Sequence, residues 1–96
     1  MSLPSHYRKV VITRFDKDFR AATDIQEVPM PEPAANEILV RNMFAGVNAS
    51  DVNISAGVYF ASEPPHDAGV EASGEVVAVG AEVDQIKVGD HVLTNM

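Results

Sequence analysis

The stretch Glu37-Ile38-Leu39-Val40-Arg41-Asn42-Met43-Phe44-Ala45-Gly46-Val47-Asn48 runs straight into Ala49-Ser50-Asp51-Val52-Asn53-Ile54-Ser55-Ala56-Gly57, and the reading of this join decides the fold. Residues 37–48 predict a long strand, and a glycine inside it, Gly46, predicts a bulge or a close backbone approach. Ser50 is the expected N-cap of one or two helical turns over residues 51–56, with Gly57 as the stop. The chain thus leaves a sheet, turns through a polar stretch and makes a short helix, and the polar residues at that turn are where chemistry is expected.

Working outward, residues 8–15 are apolar and β-branched and predict a strand, followed by the polar turn Asp16-Lys17-Asp18 before Phe19. Residues 22–28 alternate weakly, with Ile25 and Val28 as expected core positions. Pro29, Pro31 and Pro33 then remove backbone donors, so sheet pairing must stop there. Residues 59–67 carry Pro64-Pro65 and predict an irregular loop. Residues 75–79 form a β-branched run ending in Gly80, and Gly89-Asp90 predicts a turn into His91-Val92-Leu93. Short strands punctuated by Gly and Pro, without repeats or heptads, imply a mainly β unit, a small barrel or sandwich, with one short helix after the third strand. With 96 residues the chain suits a single small domain, and no internal linker is visible.

Composition narrows the function classes. There are 14 acidic against 7 basic residues, a formal charge of −7, and Lys and Arg form no stripe that could follow a phosphate backbone, so nucleic-acid binding is not expected. No apolar run approaches the roughly 20 residues of a membrane span. The N-terminus lacks a basic-then-apolar signal pattern, and an intracellular location, cytoplasmic or organellar (peroxisome or mitochondrion), is expected. The absence of cysteine excludes disulfides and cysteine-rich zinc sites.

The P-x-P-x-P bend, E-I-L-V-R, G-V-N-A-S-D, the Pro-Pro loop, G-V-E-A-S-G-E-V-V-A-V-G and K-V-G-D-H-V follow one another in an order that resembles the medium-chain dehydrogenase/reductase superfamily, over nearly the whole chain. Within it the chain is similar to the zinc-free quinone oxidoreductases. The resemblance implies that residues 1–96 are the N-terminal, GroES-like catalytic domain, a partial barrel, with the Rossmann-type cofactor domain absent. It implies an enzyme that moves hydride from NADPH to a small carbonyl-conjugated alkene (an enone such as a 15-oxo-prostaglandin) or a quinone, and a parent protein that is a homodimer. No G-x-G-x-x-G fingerprint occurs, as expected if cofactor binding lies mainly outside this stretch. The 96 residues alone are expected to be inactive.

Zinc members of the family read G-V-C-H-T-D and G-H-E where this chain reads G-V-N-A-S-D and G-V-E, so the Cys and His that bind catalytic zinc there correspond to Asn48 and Val70. Valine has no lone pair to give a metal, and no metal ligand is expected. Asn48 offers both a donor and an acceptor. By resemblance it stands beside nicotinamide and substrate as a catalytic and cofactor-binding residue. Read from the residue alone, it caps the following turn. Ser50 and Asp51 are the further cofactor-side candidates, against readings as a cap and as a structural carboxylate held by backbone donors. Asn53 stands where several quinone reductases carry tyrosine, so a tyrosine donor does not carry over to that position. Tyr59, in the loop after Gly57, is the second catalytic candidate, as a pocket residue or proton donor, against a packing role. His66 and His91 are expected to be loop and strand residues, and His6 to lie in a frayed terminus. The competing function is a non-catalytic GroES-like binding or interaction module.

Overall fold

The computed structural model describes residues 3–59 and 62–95, so residues 60 and 61 of the expected 59–67 loop lie outside it. Its elements are β1 (His6–Ile12), α1 (Phe19–Ala22), β2 (Thr23–Pro29), β3 (Ile38–Ala45), α2 (Ala49–Ser55), β4 (His66–Asp67), β5 (Glu71–Val79) and β6 (His91–Asn95). The strands form two three-stranded sheets, in the orders β2-β1-β4 and β3-β5-β6, and the chain is mainly β as expected. It divides into two compact units, each discontinuous in sequence: Met1–Met30 with Val47–Gly69, and Pro31–Gly46 with Val70–Met96.

In the first unit β1 is central. Its β-branched end supplies the core, with Val11 and Ile12 buried together with Ala22, Ile54 and Ser55. β1 pairs antiparallel with β2 from His6↔Pro29 to Ile12↔Thr23. The Met30 N–H reaches the Ser5 carbonyl at 2.9 Å. The ladder therefore gives out at the proline bend, where donors are missing. His6 is the first residue of β1 rather than part of a frayed end.

Between these strands the polar turn does more than turn. Asp16 Oδ1 accepts the Asp18 N–H at 2.8 Å and Asp18 Oδ1 accepts the Arg20 N–H at 3.0 Å. Asp18 thereby caps a single helical turn, α1, that the sequence pattern did not predict. Ile25, expected in the core, is 65% exposed, because the weak alternation of β2 places it on the solvent side of a two-sided edge strand.

In the second unit β5 is central and longer than expected, beginning at Glu71, with Val76 fully buried. The register against β3 shifts between Leu39 and Val40 and again between Asn42 and Phe44, two bulges in the long strand. The irregularity predicted from Gly46 appears as a close approach: its N–H donates to the Glu71 carbonyl at 3.2 Å, and a Cβ there would run into the Glu71 side chain. The turn at Gly89-Asp90 is present. Asp90 Oδ2 accepts the Lys87 N–H at 2.9 Å, and the Gly89 N–H reaches the Val76 carbonyl at 2.9 Å.

Candidate functional site

Asn48 is the N-cap of α2, in extended backbone conformation, and the helix begins at Ala49. Ser50 is therefore inside the first turn and half-buried, not the cap. The signal for this start is Asn48-x-x-Asp51, a capping pair spaced like a capping box. The Asn48 N–H donates to Asp51 Oδ2 at 2.8 Å, and the Asp51 N–H returns to the Asn48 carbonyl at 3.0 Å. A carboxylate three residues into the helix also sits favourably at the positive end of the helix dipole. The second Asp51 oxygen, Oδ1, is buried and has no donor among the described residues. A buried acceptor left unmatched costs roughly 1–3 kcal/mol, which makes Oδ1 the least satisfied polar atom of the turn.

The far end of α2 is a Schellman turn: the Gly57 N–H donates to the Ile54 carbonyl at 3.0 Å and the Val58 N–H to the Asn53 carbonyl at 3.1 Å. Gly57 takes φ of +87°, and the Phe15 ring lies against it, with Cγ 2.8 Å from where a Cβ would be. That tight return brings Tyr59 back alongside the helix. Asn53 Nδ2 donates to Tyr59 Oη at 3.4 Å, while the Tyr59 side chain is well exposed, at 62% for the residue. Spacing alone could have paired them only by anticipating the Gly57 reversal. Phe15 in turn stacks on His66, with centroids 6.0 Å apart and planes at 18°. His66 Nε2 lies 3.2 Å from the Ser62 carbonyl, so His66 is a half-buried packing residue.

The second unit carries a surface of its own. Phe44, Ser73 and Leu93 are in register across β3, β5 and β6, a row on one sheet face in which the small serine lies between two exposed apolar residues, 72% and 86% accessible. An open groove of about 370 Å³ lies there, with Gly46, Glu71 and Asn95 at its end. Its volume is at the low end of small-molecule sites. His91, the first residue of β6, pairs opposite Glu75 of β5 and is exposed. Among the described residues no group of three or more His, Cys, Asp or Glu is placed to hold a metal ion, and no helix is long and apolar enough to cross a membrane.

The fold is that of a small, mainly β domain with two antiparallel sheets and a capped helical turn. Residues 34–96 match the Alcohol dehydrogenase GroES-like domain family, and the chain belongs to that family. It is 45% identical over 95 residues to a probable quinone oxidoreductase of Leishmania amazonensis, covering 97% of this chain and 28% of that protein. It is 49% identical over 81 residues to prostaglandin reductase-3 of Bos taurus, covering 82% of this chain and 22% of that protein. Among solved structures, the Escherichia coli quinone oxidoreductase complexed with NADPH superposes with a TM-score of 0.82 at 32% identity, covering 91% of this chain and 26% of that one. The chain thus spans between a fifth and a third of the length of these relatives. The expected membership of the medium-chain dehydrogenases, on the quinone oxidoreductase side, is borne out.

Proposed function

We propose that this chain is the N-terminal catalytic part of an NADPH-dependent reductase that acts without zinc on an enone, including 15-oxo-prostaglandins, or on a quinone. The observation that carries the reading is the likeness to a quinone oxidoreductase holding NADPH, joined to Asn48 and Val70 at the positions where zinc members have ligands. The parent is proposed to be an intracellular homodimer.

The residues fit the nicotinamide end of such a cofactor. Asp51 Oδ1 is a buried acceptor in want of a donor, which suits the N–H of a carboxamide and is unsuited to a phosphate, whose charge it would repel. Asn48 and half-buried Ser50, in the same turn, are the groups that would hold and orient it beside Asp51. When bound, the nicotinamide supplies the hydride.

The chain's own part is positioning and polarisation. Asn48 can donate from its side-chain amide to a carbonyl oxygen, where negative charge gathers as hydride reaches the conjugated carbon. Tyr59 keeps its exposed hydroxyl available as a second donor to that oxygen or as the source of the proton the enolate needs. The test is NADPH oxidation by the full-length gene product, followed against a panel of enones and quinones, beside the 96-residue chain alone. Turnover by the longer protein, with Tyr59→Phe slowed by roughly a hundredfold, fits the reading. Steady turnover by the 96 residues would overturn the claim that a further domain is required.

A further inference from the structure

We infer that Asn53 is a positioning residue for Tyr59: its side-chain amide donates to the phenolic oxygen and so turns the tyrosine proton outward, toward a substrate carbonyl. This rests on the reading of Tyr59 as a donor, and it adds a residue that resemblance would discard, since several quinone reductases carry tyrosine there.

The argument is geometric. Asn53 Nδ2 lies 3.4 Å from Tyr59 Oη, a bond made possible by the Schellman turn at Gly57. A phenol is at once donor and acceptor, whereas an amide N–H is donor only. With a lone pair of Oη engaged by that N–H, the one O–H of Tyr59 must point elsewhere, and 62% exposure of the residue leaves that direction open. The contact also costs the helix nothing, because Asn53 lies on an exposed face of α2. A long bond between two exposed groups contributes little to stability. Its value is orientation: it selects one of several rotamers of Tyr59 before substrate arrives.

The test has a structural and a kinetic arm. In the 96-residue chain, Tyr59→Phe is expected to move the Asn53 side-chain amide resonances in a ¹H–¹⁵N spectrum; unmoved resonances overturn the inference. In the full-length enzyme, Asn53→Leu is expected to lower kcat for enone reduction by roughly tenfold with KM nearly unchanged, and Asn53→Gln to restore most of it. Asn53→Asp decides the direction of the bond, because a carboxylate accepts the Tyr59 proton and draws it away from substrate. Its kcat should fall as in Asn53→Leu, and wild-type kcat in Asn53→Asp overturns the inference. Asn53→Leu should cost nothing further in a Tyr59→Phe background; an equal loss in both backgrounds marks a merely structural role and also overturns it. Moved resonances with undiminished kcat in Tyr59→Phe instead overturn the reading of Tyr59 as the donor.

Discussion

Replacing Gly57 with alanine should be among the most damaging small changes in the first unit, and the structure separates two causes. At φ of +87° an L side chain is strained, by about 1–2 kcal/mol. The new Cβ would also lie 2.8 Å from Phe15 Cγ and 2.9 Å from Cδ2, against ordinary carbon contacts of about 3.5–4.0 Å, so the ring must retreat by roughly 0.7 Å from its stack on His66. Overpacking of this kind costs about 1–3 kcal/mol. Gly69 is the control within the same unit: its φ is +97°, but nothing lies within 4 Å of its would-be Cβ. Gly69→Ala therefore carries the strain alone, partly offset by about 0.4–1 kcal/mol from the restricted unfolded chain. Urea unfolding followed by circular dichroism, read as midpoint shifts at constant slope, should place Gly57→Ala about 1–3 kcal/mol below Gly69→Ala. In a Phe15→Ala background most of the difference should disappear, because the ring atoms are gone and only the Phe15 Cβ, 3.1 Å from the new methyl, remains. If Gly57→Ala proves no more costly than Gly69→Ala, the close packing of Phe15 on the turn is wrong.

Other substitutions test the remaining links. Ile12→Ala should destabilise by about 2–5 kcal/mol, since Ile12 is 1% exposed, whereas Ile25→Ala should stay within about 0.5 kcal/mol, and equal costs would contradict the assigned core. Asp51→Ala should speed amide hydrogen exchange at Asn48 by freeing its N–H, a cap worth about 1 kcal/mol, and Asp51→Asn should restore much of the protection because the amide oxygen can still accept; failure of Asn to outperform Ala counts against the cap. The Lys9 ammonium, held above its ordinary 10.5 chiefly by its hydrogen bond to Asp67, has a higher pKa folded than unfolded. Its contribution is therefore complete below about pH 10.5 and is lost as pH rises through the folded value. Wild type should lose stability relative to Lys9→Met in that alkaline window, an advantage that salt should reduce, and parallel curves for the two proteins would refute it.

What could be read beforehand follows from how local each cause is. The strands β1, β3 and β5 show in sequence because β-branched runs and prolines act on their own residues, and the closeness at Gly46 shows because a glycine late in a strand has few other uses. α1 is invisible because two aspartates, Asp16 and Asp18, read equally well as a turn and as a cap. Ser50 and Asn48 are both good caps, and the choice falls to Asn48 because Asp51 is then three residues into the helix, able to reach back to the cap N–H. The Asn53–Tyr59 contact depends on a backbone reversal with a positive φ, and no residue pattern reports its direction.

The division of the chain has a consequence for how it is made. Neither unit is one continuous stretch, so no single proteolytic cut releases either intact. During synthesis, β1 and β2 emerge early but wait for His66 and Asp67 to pair at Val11 and Ile12, by which time β3 of the other unit has already left the ribosome. The two units therefore mature interleaved in time, and a nascent chain stalled between β3 and residue 66 holds an unfinished edge in each sheet, at β1 and at β3.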